Sequence, residues 1–268
     1  MSDAMRPLPF DQLLDWILAE YRHKGAIFGI PRALFYHPRA DAPYAIPDLY
    51  GHYLATPIGP GAGPHPQLAQ NIVAAWLCGG QFIELKTVQI MDELVIPRPC
   101  IDMADEGYNV EWSQELKLDQ SLREYVKAWV LLHALHRLLG FEGKVPWGTV
   151  FNMSVGYDLK GIQSAALTRF MDGLADASTL IAEYQAVLEQ RPAFRGLVIP
   201  GRVSDNVTLS TMHGCPPDEI ERIGRYLLLE RGLHTIVKLN PTLLGRDAVL
   251  GILGDLGYSD IRIPEAVF

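Results

Sequence analysis

The chain has 268 residues, 49% of them hydrophobic and 20% charged, with a formal net charge of -8. This is the composition of an ordinary globular protein, long enough for one large domain or two small ones. The acidic balance argues against a nucleic-acid partner or an acidic membrane surface, either of which needs a basic face.

The opening residues, Met1-Ser2-Asp3-Ala4-Met5-Arg6-Pro7, have no apolar core of a secretory signal. The longest apolar run, Ala128 to Leu139, is broken by His133, His136 and Arg137, too short and too polar to span a bilayer. Cys78, Cys100 and Cys215 are too scattered for a disulfide framework or a CxxC-type metal or iron–sulfur site, so a cytoplasmic address is expected and no metal ligand set is proposed.

Residues 1–52 form a lead-in. Asp11 to Tyr21 carries Leu13, Leu14, Ile17 and Leu18 at helical spacing, and Phe28-Gly-Ile-Pro-Arg and His37-Pro-Arg-Ala-Asp-Ala-Pro then break regularity. From Tyr53 strands and helices alternate. Strands are expected over Tyr53–Ile58, Phe82–Val88, Thr149–Val155, Asn206–Thr211 and Thr235–Asn240, with a stub at Asp260–Ile263. Helices are expected over Pro66–Leu77, Ser121–Leu139, Ile162–Leu188 with a break, Pro217–Arg231 and Arg246–Leu256. Ser121 with Glu124 reads as a capping box, and Gly232 and Gly257 as helix stops.

Repeated β-α-β with nearly continuous apolar strands implies a parallel sheet covered by helices. The loop GPGAGP is not the GxGxxG of a dinucleotide fold, which favours a barrel over an open doubly wound sheet. A complete (β/α)8 barrel takes about 250 residues. With the lead-in and an insertion with a helix over 88–148, residues 53–268 accommodate about five to six βα units. The expected fold is therefore α/β, an incomplete TIM (β/α)8-type barrel.

In such proteins ligands bind at the carboxyl edge of the strands. Gly59, Gly61, Ala62 and Gly63 offer bare backbone there, either for a flat ligand or simply for a tight turn. Lys86 and Thr87 end the second strand at the same edge, although a terminal lysine is often only a solvated charge. The fourth strand leads through Ser210, Thr211 and His213 to Cys215 before Pro216-Pro217. A thiol at a helix start is acidified by the dipole and becomes a base or nucleophile; the plainer alternative is a small apolar residue, with His213 bonded to a loop carbonyl. Lys238 interrupts the apolar run Ile236–Leu239, and a buried ammonium there needs a ligand or a carboxylate.

These motifs resemble the flavin-binding barrel of the dihydroorotate and dihydropyrimidine dehydrogenases. Nearly the whole chain is similar to the N-terminal part of the selenate reductase subunit family, large iron–sulfur flavoproteins. The blocks that carry this are MRPLPFDQLL, FGIP, TPIGPGAGPHPQLAQNIV, FIELKTVQIMDEL, PCIDMADEGYNVEW, FNMSVGY, LSTMHGCPPDEIE and VKLNPTLLG.

The resemblance implies that Gly61, Ala62 and Gly63 lie against the isoalloxazine ring of FMN. Lys86, Thr87, Asn152 and Lys238 contact the flavin, and Asn109, Ser210 and Asn240 bind substrate. It places Thr211 where the dehydrogenases carry a Cys or Ser base, while an asparagine of their motif is lost; Cys215 serves as base only if the loop is rebuilt. Iron–sulfur clusters and FAD or NAD(P)H belong to parts of the family's chain absent here, as do the last barrel strands. Three functions follow as expectations. The first is a flavin-dependent oxidoreductase segment acting on a small molecule, with electron-transfer domains or subunits as partners. The second is a non-catalytic barrel that docks such domains. The third is a cysteine hydrolase using Cys215 and His213, disfavoured by their spacing and the lack of an orienting acid.

Overall fold

The computed structural model describes residues 5–91, 101–102, 108–109, 114–212, 215–239, 241–265 and 268. Helix α1 (Phe10–Lys24) buries Phe10, Leu13, Leu14, Ile17 and Leu18, a single stripe at helical spacing, and stops where Gly25 takes φ 61°. Two antiparallel ribbons follow, β1 (Ala26–Ile27) with β2 (Ile30–Pro31) and β3 (Ile46–Leu49) with β4 (His52–Leu54).

The strand expected over Tyr53–Ile58 is therefore not formed as such, because β4 ends at Leu54 in the second ribbon. Residues 55–60 run irregularly yet still flank the sheet. Ile58 O accepts from Gln81 N at 2.9 Å and Phe82 N at 3.1 Å, and Pro60 O accepts from Glu84 N at 3.1 Å. Pro57 and Pro60 have no N–H to donate, which prevents a reciprocal ladder. A β-carbon at Gly59 would run into the Phe82 carbonyl, so this close approach requires glycine.

The chain continues through α2 (Ala69–Leu77), β5 (Phe82–Glu84), the ribbon β6 (Ile101–Asp102) and β7 (Tyr108–Asn109), and α3 (Leu118–Leu138). Then come β8 (Val150–Val155), α4 (Leu159–Ile162), α5 (Ala165–Ala175), α6 (Ser178–Glu189), β9 (Asn206–Ser210), α7 (Ile220–Arg225), β10 (His234–Lys238) and α8 (Arg246–Asp255). Strands β5, β8, β9 and β10 are parallel and adjacent in that order. A doubly wound sheet reverses its order at a switch point; steady growth to one side is how a β/α barrel is built.

Two further expectations change. Residues 260–263 form no strand. Ser121 and Glu124 are not a capping box, because α3 starts earlier, with Lys117 N donating to Gln120 Oε1 at 3.0 Å. Glu124 is buried inside the protein instead, where it accepts from Ala69 N at the start of α2 (2.8 Å) and pairs with Lys127 Nζ. The stops at Gly232 and Gly257 are present, with φ 64° and 89°.

The pleat divides the sheet's residues between two faces. Ile83, Phe151, Met153, Val155, Val207 and Leu209 join the core built by α2, α3, α5 and α6. The alternate positions Asn152, Ser154, Asn206, Thr208 and Ser210 are equally buried but polar. Barrel interiors are ordinarily filled by branched apolar side chains, so this polar layer marks the face that serves function.

Candidate functional site

The polar layer runs to the carboxyl ends of the strands. Glu84, the last residue of β5, holds two other parts of that edge. Its Oε2 accepts from Ala62 N of the glycine loop at 2.9 Å, and its Oε1 accepts from Lys238 Nζ at 3.0 Å. Lys238 ends β10 beside Ser210, and Glu84 stands in register with Asn152. Lys238 has the expected carboxylate partner, but its side chain is 41% exposed rather than buried. So exposed a pair contributes about 1 kcal/mol or less to stability. What it chiefly fixes is position.

Asn152 is fully buried, and its Nδ2 donates to Thr208 Oγ1 at 2.6 Å. Its Oδ1 is a buried acceptor with no hydrogen-bond partner among the described residues. Leaving such an atom unsatisfied costs about 1–3 kcal/mol, and a ligand donor would offset that. Beyond β5 the backbone stays tied to β8, through Leu85 N to Asn152 O (2.9 Å) and Val88 N to Ser154 O (3.0 Å). This places Lys86 and Thr87 against the same layer, with the hydroxyls of Thr87 and Ser154 2.7 Å apart. Lys86 is 1% exposed, so it is no solvated surface charge. Burial, and then the nearby Lys86 ammonium, lower the pKa of His65, which sits just after the glycine loop.

The structure thus brings Gly61, Ala62, Gly63, Lys86, Thr87, Asn152, Ser210 and Lys238 to one edge. Thr211 is there too: its Oγ1 donates to Lys238 O at 2.8 Å, tying the end of β9 to β10. Asn109 pairs with Ile101 in the β6–β7 ribbon. The Asn109 side chain, Asn240 and His213 lie outside the described residues.

The expectation for Cys215 is corrected. The thiol lies in the core cluster, before a helical run that opens as a 3₁₀ turn (Pro217–Glu219) and passes directly into α7. Burial, and then Glu219, push its pKa up rather than down. Desolvation outweighs whatever the helix start offers the thiolate. Glu84 was the residue missed. A charge closing the apolar strand Phe82-Ile83-Glu84 is the same signal that singled out Lys238.

The profile of the family described as "Oxidoreductase YgfK, N-terminal TIM-barrel domain" matches residues 28–268. The YgfK proteins of Escherichia coli strain K12 and strain O157:H7 are each 47% identical to this chain over 290 aligned residues. The alignment covers 100% of this chain and 28% of each relative, so the chain spans under a third of their length. Among solved structures, ligand-free DHODH from Eimeria tenella overlaps with a TM-score of 0.43 at 16% identity, over 86% of this chain and 68% of that one. DHODH from the same organism in complex with ferulenol gives a TM-score of 0.41 at 16% identity, over 90% and 70%. Overlaps this loose carry no weight in the assignment, which rests on the family match and the close relatives. The chain belongs to the YgfK oxidoreductase family, as its N-terminal TIM-barrel domain.

Proposed function

We propose that the carboxyl edge of this barrel binds FMN and passes electrons between it and a small substrate within a larger, cytoplasmic iron–sulfur oxidoreductase. The observation that supports this best is one linked set. A glycine loop, a cation and an unsatisfied buried acceptor converge on one edge, with Glu84 joining the first two. These residues fit a flavin. Gly61, Ala62 and Gly63 give bare backbone for a flat ring, Asn152 Oδ1 awaits a donor, and Lys86 and Lys238 supply positive charge.

FMN, when bound, supplies the electron carrier. Lys238 would hold positive charge beside the ring, and such a charge favours electron acceptance. Ser210, Asn109 and Asn240 are proposed to bind substrate, with selenate the first to assay. Thr211 is proposed as the group nearest the substrate proton. FAD or NAD(P)H and the iron–sulfur clusters belong to other parts of the longer polypeptide or to partner subunits. The test is the flavin content of the full-length protein: FMN is released on denaturation, and Lys238→Ala lowers the amount retained.

A second reading, a barrel that only docks electron-transfer domains, is favoured by the buried, poorly acidic Cys215 and by a Thr211 proton already committed to a carbonyl. Turnover by the full-length protein separates the two. Thr211→Val lowers kcat about 10²-fold if this hydroxyl moves the proton, and leaves it unchanged in a scaffold; Cys215→Ser changes little in either case.

A further inference from the structure

A cavity of about 260 Å³ lies at the opposite, amino ends of the same strands, between the starts of β8 and β9, α3 and the end of the β3–β4 ribbon. Rings form its walls. His133 stacks on Trp147 at 3.8 Å with 9° between planes, and Trp129 meets them edge-on at 4.7 and 5.2 Å. Both indole N–H groups are already engaged, Trp129 donating to Pro200 O (3.0 Å) and Trp147 to Thr149 O (2.9 Å). The two indoles therefore present ring carbon rather than donors.

Two polar atoms of the lining residues have no hydrogen-bond partner among the described residues, Asn206 Oδ1 and His133 Nε2. Asn206, 1% exposed, lines the cavity, and its Nδ2 donates to Phe151 O at 3.3 Å and Asp205 Oδ1 at 3.2 Å. Two acceptors around the nitrogen fix the amide's orientation. Its Oδ1 is left buried with no hydrogen-bond partner among the described residues. The one carboxylate of the lining, Asp205, is already paired with His52 Nε2, at 2.8 and 2.9 Å. Arg202, the cationic residue of the lining, also lies 3.9 Å from that carboxylate, so a charged ligand would lose its hydration where both lining charges already have counter-ions.

We infer that this cavity is a second binding site, for a small, flat, uncharged heteroaromatic ring with an N–H that donates to Asn206 Oδ1. The volume suits one or two fused rings, the aromatic walls suit stacking or edge contact, and the Asn206 acceptor sets orientation. About 13 Å of strand, from Asn206 to Ser210, separates it from the carboxyl edge. The two sites are independent, and this one stands whether or not the other binds FMN.

Calorimetric titration of the full-length protein with benzimidazole, neutral above pH 7, tests the inference. Saturable binding is expected, about tenfold weaker for 1-methylbenzimidazole, which keeps the ring and loses the donor. Trp147→Leu, which removes a wall, also weakens benzimidazole binding by about tenfold or more. The two probes compared on the unaltered protein decide the matter even if that variant folds poorly. No binding, equal affinity for the two probes, or binding unaffected by Trp147→Leu would each overturn the inference.

Discussion

Glu84 positions the rest of the carboxyl edge, because one carboxylate holds the loop through Ala62 and the cation through Lys238. Glu84→Ala leaves the Ala62 amide without its acceptor and Lys238 without its counter-ion. A stability loss of about 1–2 kcal/mol is expected, with a smaller one for Glu84→Gln, which keeps an acceptor; urea unfolding midpoints measure both. At this scale the sequence was legible where a charge stood in an apolar strand. That signal identified Lys238 and was equally present at Glu84. At Cys215 the signal was a proline-marked helix start, which is present, but burial rather than the dipole governs the thiol.

The segment before β5 shows how much an element depends on one backbone contact. Because the Gly59 backbone lies against the Phe82 carbonyl, Gly59→Ala must push residues 58–60 off the sheet or distort β5. A loss of about 3 kcal/mol or more is expected, visible as a lower melting temperature and poor soluble yield; a variant that melts like the parent would contradict the contact. Helices were the most legible elements, since α1, α2, α3 and α8 each follow an apolar period. The first expected strand was not, because Pro57 and Pro60 sit in a run that is otherwise strand-like. The capping box was misplaced for a tertiary reason: Glu124 faces another helix start, across the core.

Over the whole molecule, the succession β5-β8-β9-β10 and its helices was legible from the alternation of patterns. The polar character of one sheet face was legible only once register was known, since Asn152, Ser154, Thr208 and Ser210 come from different strands. The open side lies at β10, where Val237 and Leu239 are exposed. Stability should also carry a pH signature. Burial lowers the pKa of His133 to about 3 and lowers those of His65 and His136. Below the ordinary value of 6.5 the unfolded chain takes up protons that the folded one refuses, so stability falls as pH drops from 6.5 towards 3. His133 alone accounts for about 2 kcal/mol between pH 6.5 and pH 5, and urea melts of His133→Phe should show a shallower acid loss.

The central claim is a flavin held at the carboxyl edge of this barrel, and flavin released from the purified full-length protein tests it most directly. Chromatography should identify FMN near one equivalent per chain in the parent, and a clear loss of FMN, with the fold retained, in Lys238→Ala. Protein without FMN, or FMN retained in full by Lys238→Ala, would contradict the account.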